Sequence, residues 1–504
     1  MTENLLYIKL NQANYEYDVH SIVKAFYADK AVKVLTPESK FKLVEGGGDT
    51  FFIEVELYPE GARMRIDSKE YQWQFKQECA KAECVNIEGA KTERAKTEGA
   101  SYKDGFKSFL YKSLQHFTGQ SLPWGNLTGI RPTKLAYGML EEGRSDEEIR
   151  EFLESRHFVS RQKADLSIDI AKRERELLAD VHYEEGYSLY IGIPFCPTTC
   201  MYCSFTSYPI AAYRRQVEAY IDCVIREMEY VSKRYAHKIL DSVYIGGGTP
   251  TTLEAEQLDR LISALKGLFD FSMVKEFTVE AGRADSITED KLQVLFKHGV
   301  SRISVNPQTM KQETLDIIGR RATVSQVVEA YGMARRVGFT NINMDLILGL
   351  PGETEADVQN TVDRVVELAP DSLTVHSLAV KRASRLNRWI QENGVSMLRN
   401  TDETMEIAAK GAKRLGMEPY YLYRQKNMSG NFENVGYAKP GKLGLYNILI
   451  MEEKQTILAL GAGSITKRVF PDGRIERCEN VKDVASFIER IDEMIERKRR
   501  FFED

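Results

Sequence analysis

Tyr187-Ser-Leu-Tyr-Ile-Gly-Ile-Pro-Phe-Cys196-Pro-Thr-Thr-Cys200-Met-Tyr-Cys203 is the stretch on which the reading of the whole chain turns. Its first part, Tyr187–Ile193, is an apolar run of strand length. Three thiols follow at once in a Cys-x3-Cys-x2-Cys loop. Downstream, short β-rich runs alternate with longer amphipathic ones. Asp241–Ile245, Glu276–Glu280, Ser301–Val305, Asn341–Leu346 and Ser372–Leu378 read as strands. Tyr213–Arg234, Leu253–Leu268, Thr288–His298, Val324–Val337 and Glu353–Leu368 read as the helices between them. Six strands in this rhythm predict parallel βα units in an α/β fold, a partial (βα)6 TIM-like barrel. In such a barrel reactive groups gather at the carboxyl ends of the strands, and the thiol loop sits at the end of the first.

Outward from this zone (186–383) lie two others. Residues 1–185 read as an α+β region with strands at Leu5–Leu10, Ala31–Leu35 and Phe51–Leu57 and a Glu45-Gly-Gly-Gly-Asp turn. A Lys-, Glu- and Ala-rich stretch (Lys81–Ala100) precedes helices opening at Ser145 and Arg161. Residues 384–504 read as a second α+β region covering the site. It has a helix at Thr401–Leu415, a strand at Pro419–Tyr423, a loop from Asn427 to Gly444 and a charged helix at Val484–Arg499. The basic run Arg497-Lys-Arg-Arg in that helix reads as a solvated helix end.

With 504 residues, the chain has ample material for a large core, and 69 Lys+Arg against 74 Asp+Glu argue against a protein whose main task is gripping nucleic acid. No apolar run reaches the roughly 18 residues of a membrane span, and Met1–Leu10 lacks the pattern of a secretory signal. The expected location is therefore the cytoplasm. Seven cysteines, three of them within eight residues, suit metal ligation in a reducing compartment better than a disulfide scaffold. Three soft thiolates suit an iron–sulfur cube with one iron left open, the alternatives being a zinc site completed by a distant residue or three unrelated buried thiols.

The same spacing is the signature of the radical S-adenosylmethionine (SAM) superfamily, which the chain resembles further in Asp241-Ser-Val-Tyr-Ile-Gly246-Gly247-Gly248-Thr249-Pro250. There a strand ends in a glycine turn whose bare backbone can approach a ligand closely. Ile193-Pro-Phe-Cys, Gly246-Gly-Gly-Thr-Pro-Thr and Asp345-Leu-Ile-Leu-Gly-Leu-Pro-Gly resemble the oxygen-independent coproporphyrinogen III oxidase (coproporphyrinogen dehydrogenase) family from about Gly186 to Ile465. The likeness is to a bacterial branch with an added N-terminal region. That region includes Leu122-Pro-Trp-Gly-Asn-Leu-Thr-Gly-Ile-Arg-Pro-Thr-Lys134, which carries no recognisable chemical motif.

The resemblance implies a [4Fe–4S] cluster on Cys196, Cys200 and Cys203 with SAM on its open iron. It implies oxidative decarboxylation of coproporphyrinogen III propionates to vinyls, giving protoporphyrinogen IX, with an electron donor such as a flavodoxin. By position, Tyr190, Gly247 and Glu280 match the family's first SAM site and Tyr202 a second. Gly248, Thr249, Gln308, Arg320, Asp345, Ala379 and Ile465 match other SAM contacts.

Three departures stand against this pattern. Phe205 replaces a further Cys, Gly192 replaces a His, and Glu280-Ala-Gly-Arg replaces a Glu followed by an Asn/Asp-Pro turn. A Phe at 205 resembles the related haem chaperones, but no His follows His376 to supply their axial ligand. Arg424 and Lys426 are candidate partners for propionate carboxylates. The alternatives are a haem-binding or haem-transfer protein, or a radical SAM enzyme with another substrate.

Overall fold

The computed structural model describes residues 5–27, 30–39, 51–75, 91–129, 131–203, 205–380, 385–394, 397–424 and 432–503. Where the sequence suggests three zones, the chain packs as two compact units. One comprises Met1–Asp169 with Arg424–Phe432, the other Ile170–Tyr423 with Glu433–Asp504.

The first unit holds strands β1 (Leu5–Leu10), β2 (Ala31–Leu35), β3 (Phe51–Tyr58), β4 (Gly61–Ile66) and β5 (Lys69–Gln74), in spatial order β2-β1-β3-β4-β5. β1 runs parallel to both neighbours and β3-β4-β5 is an antiparallel meander. Helices α1 (Glu16–Phe26) and α2 (Lys91–Thr118) pack on it. Leu6, Ile8, Ile53, Met64, Phe106 and Leu110 are fully buried between them. Further along are α3 (Thr133–Glu141), α4 (Asp146–His157) and α5 (Arg161–Leu178). Ser145 opens α4 with a reciprocal capping box to Glu148, as its position before three acids predicts. The expected Glu45–Asp49 turn and residues 76–90 lie outside the described residues.

The second unit is built on one sheet. Its centre is six parallel strands, β6 (Gly186–Ile193), β9 (Ile239–Gly247), β10 (Glu276–Glu280), β11 (Arg302–Ser304), β12 (Ile342–Leu348) and β13 (Ser372–Ser377), paired in that order. A small bridge joins β7 (Phe195–Cys196) to β8 (Tyr208–Pro209). The crossovers carry α6 (Ile210–Tyr213), α7 (Val217–Arg234), α8 (Ala255–Leu268), α9 (Glu289–Lys297), α10 (Gln312–Ile317), α11 (Val324–Val337) and α12 (Glu355–Leu368). β6 is buried along almost its whole length, as a strand of a parallel sheet covered on both faces must be. Thr323 and Thr354 cap α11 and α12 with reciprocal boxes, each such cap being worth about 1 kcal/mol.

Residues from the C-terminal zone extend this sheet at both edges. After α13 (Arg385–Asn393) and α14 (Asp402–Arg414), strands β14 (Glu418–Tyr423) and β15 (Asn434–Ala438) continue beyond β13 in antiparallel pairing. After α15 (Leu445–Glu452), β16 (Thr456–Leu460) pairs parallel to β6, and β17 (Ile465–Val469) and β18 (Ile475–Glu479) follow antiparallel. β15 corrects the expected Asn427–Gly444 loop. Asn and Gly disguise a fully buried strand in which Gly436 makes room for the Tyr421 ring. No helix among the described residues is long and apolar enough to cross a membrane.

The predicted C-terminal helix is two, α16 (Val484–Glu489) and α17 (Ile491–Glu503), and its basic run is not uniformly solvated. Arg497, Arg499 and Arg500 pair with Glu493 and Glu496 on the surface. Lys498 is fully buried, its Nζ 2.7 Å from Oε1 of the equally buried Glu227. Asn480 Oδ1 accepts a second bond from Lys498 Nζ (2.8 Å), and Glu227 Oε2 accepts from the backbone N–H of Gly461 (2.8 Å). Removing one member of a buried pair leaves the other charge without compensation. Lys498→Ala is therefore expected to cost about 3–5 kcal/mol of stability, and Arg497→Ala under about 1 kcal/mol. Urea denaturation of the two variants checks this.

Candidate active site

The thiol loop hangs from the end of β6 and is tied to the end of β9 by backbone bonds. Gly248 N donates to Ile193 O (2.8 Å) and Thr249 N to Phe195 O (2.7 Å). A Cβ on Gly248 would lie 2.6 Å from Phe195 O and 2.7 Å from Ile193 O, so the approach requires glycine. Gly247, at φ +104°, has the Tyr190 hydroxyl 2.9 Å from where a Cβ would stand. The outer side of the loop is held by Thr198 Oγ1 donating to Gly319 O (3.0 Å) and Leu386 N to Met201 O (3.1 Å).

Cys200 is buried, and Cys196 and Cys203 are half-buried. Burial pushes the Cys196 thiol up to about 11 and also raises Cys203. Burial acts the same way on Cys200, but the Arg320 and Arg283 guanidiniums outweigh it and hold that thiol below its ordinary value. Thr249 Oγ1 lies 3.4 Å from Cys196 Sγ.

Arg283, which the sequence reading does not single out, lies against the thiol loop. Only 3% exposed, it donates from Nη1 to Cys200 Sγ (3.4 Å) and to Thr198 O (3.2 Å), and from Nη2 to Thr198 Oγ1 (3.0 Å). Asp285 Oδ2 anchors it at 2.7 Å. The signal was present as the departure at Glu280-Ala-Gly-Arg, which places a cation where a turn residue was expected.

Glu280 closes β10 with Oε1 accepting from Tyr244 Oη (2.5 Å) and Oε2 from Gly247 N (3.2 Å). Burial, with Asp345 adding to it, pushes its carboxyl up to about 7. Tyr190, Tyr244 and Tyr446 stack beside it, the last two with ring centroids 4.4 Å apart. Asp345 on β12 accepts from Asn343 Nδ2 (2.7 Å) and faces His376 Nε2 at 3.9 Å. Burial works to raise its carboxyl, but His376 and Asn343 hold it below the usual range. Gln308 sits at φ +67°, bridged to β12 through its N–H to Asp345 O (2.9 Å).

Arg320 is 8% exposed and donates to Asn306 O (2.5 Å) and Tyr202 Oη (3.4 Å). Among the described residues its buried Nε has no hydrogen-bond partner, nor has Ser304 Oγ, opposite Glu280 across β10 and β11. Ala379 is half-buried just past β13. Ile465 is not drawn into this group. It is 41% exposed at the start of β17, two strands out from β6. Arg424 is no carboxylate clamp either. It is buried in the first unit with Nη1 donating to Leu127 O (2.5 Å) and its guanidinium 6.0 Å from the Trp124 ring centre. Lys426 lies outside the described residues.

Among the described residues no three His, Cys, Asp or Glu side chains close around a single metal ion. An iron–sulfur cube, whose irons each take one thiolate, needs a wider set. Three mutually interacting thiols beside two guanidiniums meet that need. Arg320 Nε and Ser304 Oγ, without hydrogen-bond partners among the described residues, together with the half-buried Glu280 beside Ser304, suit a zwitterionic ligand with a carboxylate and an ammonium.

A parallel βα array with this loop is the architecture of a radical SAM protein, and residues 190–365 match the model of the Radical SAM superfamily. Coproporphyrinogen III oxidase from Escherichia coli, a radical SAM enzyme, shares the fold at TM-score 0.50 and 22% identity, over 66% of this chain and 73% of its own. The oxygen-independent coproporphyrinogen-III oxidase-like protein HemZ of Bacillus subtilis is 41% identical over 80% of this chain and 82% of its own. The haem chaperone HemW of Lactococcus lactis is 32% identical over 55% of this chain and 68% of its own. The chain belongs to the oxygen-independent coproporphyrinogen III oxidase-like family of radical SAM proteins, whose cofactors are a [4Fe–4S] cluster and SAM.

Two predictions follow from the geometry. Glu280 binds its proton more tightly folded than unfolded, so the apo chain loses stability as pH rises from 4.5 through about 7, on the order of 3 kcal/mol in all. Glu280→Gln is expected to flatten that slope in denaturation curves at pH 5 to 8. Arg283→Met removes a cationic donor from Cys200 Sγ. In reconstituted protein its cluster midpoint, followed by electron paramagnetic resonance, is expected to become more negative than wild type.

Proposed function

We propose that the chain performs the radical decarboxylation of coproporphyrinogen III propionates to vinyls, giving protoporphyrinogen IX. The observation that supports it most is the buried donor set at one end of the parallel strands, with Arg320 Nε and Ser304 Oγ left without partners. The tetrapyrrole substrate is inferred from the oxidase-like relative at 41% identity and the oxidase of Cereibacter sphaeroides at 29%. In this reading Cys196, Cys200 and Cys203 hold the cluster. Glu280, Gly247 and Arg320 take the amino and carboxylate groups of SAM, and Tyr190, Tyr202, Gly248, Thr249, Gln308, Asp345 and Ala379 frame it. The cluster and SAM, held by these residues, would supply the hydrogen-abstracting chemistry at the substrate side chain, with carbon dioxide then leaving and one electron passing to an acceptor. The stacked Tyr190, Tyr244 and Tyr446 exclude water beside Glu280. An electron donor such as a flavodoxin would be needed to reduce a cluster held by Cys196, Cys200 and Cys203.

Phe205 favours a second reading. It is 73% exposed where the oxidases carry a further Cys, and relatives named haem chaperones share the scaffold. One experiment separates the two. The reconstituted, reduced protein is given SAM and coproporphyrinogen III under anaerobic conditions. 5′-Deoxyadenosine together with decarboxylated porphyrin is the expected result. Deoxyadenosine without porphyrin turnover, with haem binding seen by absorbance, overturns the oxidase reading in favour of haem transfer.

A further inference from the structure

Leu127, Thr128, Gly129, Arg131, Pro132 and Lys134, from a stretch opaque in the sequence, form one wall of a cavity of about 570 Å³ lying entirely within the first unit. That volume is within the roughly 300–1,000 Å³ typical of small-molecule sites. The wall is built to hold its shape. Trp124 is fully buried, and Asn126, 2% exposed, donates from Nδ2 to Ser108 Oγ (3.2 Å) and accepts at Oδ1 from His157 Nδ1 (3.0 Å). Asn126 N donates to His157 O (2.9 Å), and Arg424 grips Leu127 O. With Trp124–Asn126 pinned in this way, Leu127–Gly129 and Arg131 are left to line the cavity.

Its lining has two chemical halves. Leu127, Leu135, Met139 and Phe152 supply an apolar floor, and Leu135 is 36% exposed despite its size. Lys107, Arg131, Lys134 and Arg144 supply four cations, against the single carboxylate of Glu142. Glu142 pairs with Arg144 at 3.0 Å on an exposed surface, a contact too weak to commit either group. Lys107 and Lys134 make no ion pair among the described residues. Lys107 is half-buried, and Asp18 and Asp104 are the carboxylates whose charge it feels. These four cations and the apolar floor line the cavity apart from the main core of this unit, which lies between its sheet, α1 and α2.

We propose that this cavity is a second ligand site, separate from the thiol loop, for an organic anion that carries carboxylates on an apolar body. The floor takes the body, and the forked guanidiniums of Arg131 and Arg144 with the two lysines take the carboxylates. A carboxylated tetrapyrrole has this chemistry. That identification, unlike the site itself, rests on the proposed function.

The test measures equilibrium binding of three compounds to the full reconstituted chain. They are coproporphyrin III (the oxidised macrocycle), decanedioate, and ATP as an anion with no comparable apolar body. Lys134→Glu and Leu135→Glu alter exposed residues and leave the core untouched, and circular dichroism checks their folding. The expected result is saturable binding of coproporphyrin III, weakened at least about tenfold in both variants and retained in Cys200→Ala. 5′-Deoxyadenosine formation stays unchanged in the two cavity variants. Decanedioate bound in the same variant-sensitive way, without coproporphyrin, upholds the site and removes the tetrapyrrole. ATP as the sole ligand, or affinities equal in wild type and both variants, overturns the proposal. Absence of decarboxylation alongside variant-sensitive binding counts against the proposed function alone.

Discussion

The pairing of β6 with β9 is the constraint on which the site depends. It sets Ile193 opposite Gly247, so the thiol loop and the glycine turn leave the sheet side by side. The two bonds from Gly248 and Thr249 then lock one to the other. Because side chains alternate along a strand, a slip of one residue would turn Tyr190 away from Gly247 and separate the loop from its glycine cradle. The remaining parallel strands add to this pair in order, with Glu280 at the end of β10, Ser304 at the end of β11 and Asp345 in the middle of β12.

The charges at that end are sorted. Arg283 and Arg320 lie against the thiols, while Glu280 and Asp345 lie on the strands further along the sheet. Buried charges of this kind are costly unless compensated. Arg283 has Asp285, and Asp345 has His376 and Asn343. Glu280 is compensated only by a tyrosine hydroxyl and one backbone N–H, which is why its carboxyl holds its proton to about neutrality. The arrangement is stable as a partly neutral apo site and suits the arrival of a cation.

Much of this was legible in the sequence because periodicity and chemistry coincided. Glu276–Glu280 and Val324–Val337 fall where the pattern puts them, and the thiol loop announces itself. What escaped was governed by distant partners. Asn434–Ala438 has the composition of a loop, and only β13 and β14 on either side make it a strand. Tyr446 reaches the site from α15, far along the chain, with no local signal. Lys498 was legible in principle. It continues the buried stripe Ile491, Met494, Lys498, Phe502 at helical spacing, yet the arginines around it drew the eye to charge instead of phase. Ile465, assigned by position alone, is exposed at the start of β17.

The strand beside β6 opposite β9 is β16, whose residues are synthesised long after the thiol loop has left the ribosome. At ~5–20 residues per second the interval is on the order of tens of seconds. During it the first barrel strand has one bare flank, and the Gly461 N–H that will engage Glu227 does not yet exist. Iron delivered to the nascent chain would meet thiols on an unfinished scaffold. Only when β16 has paired does the strand that carries the thiol loop have a neighbour on both flanks.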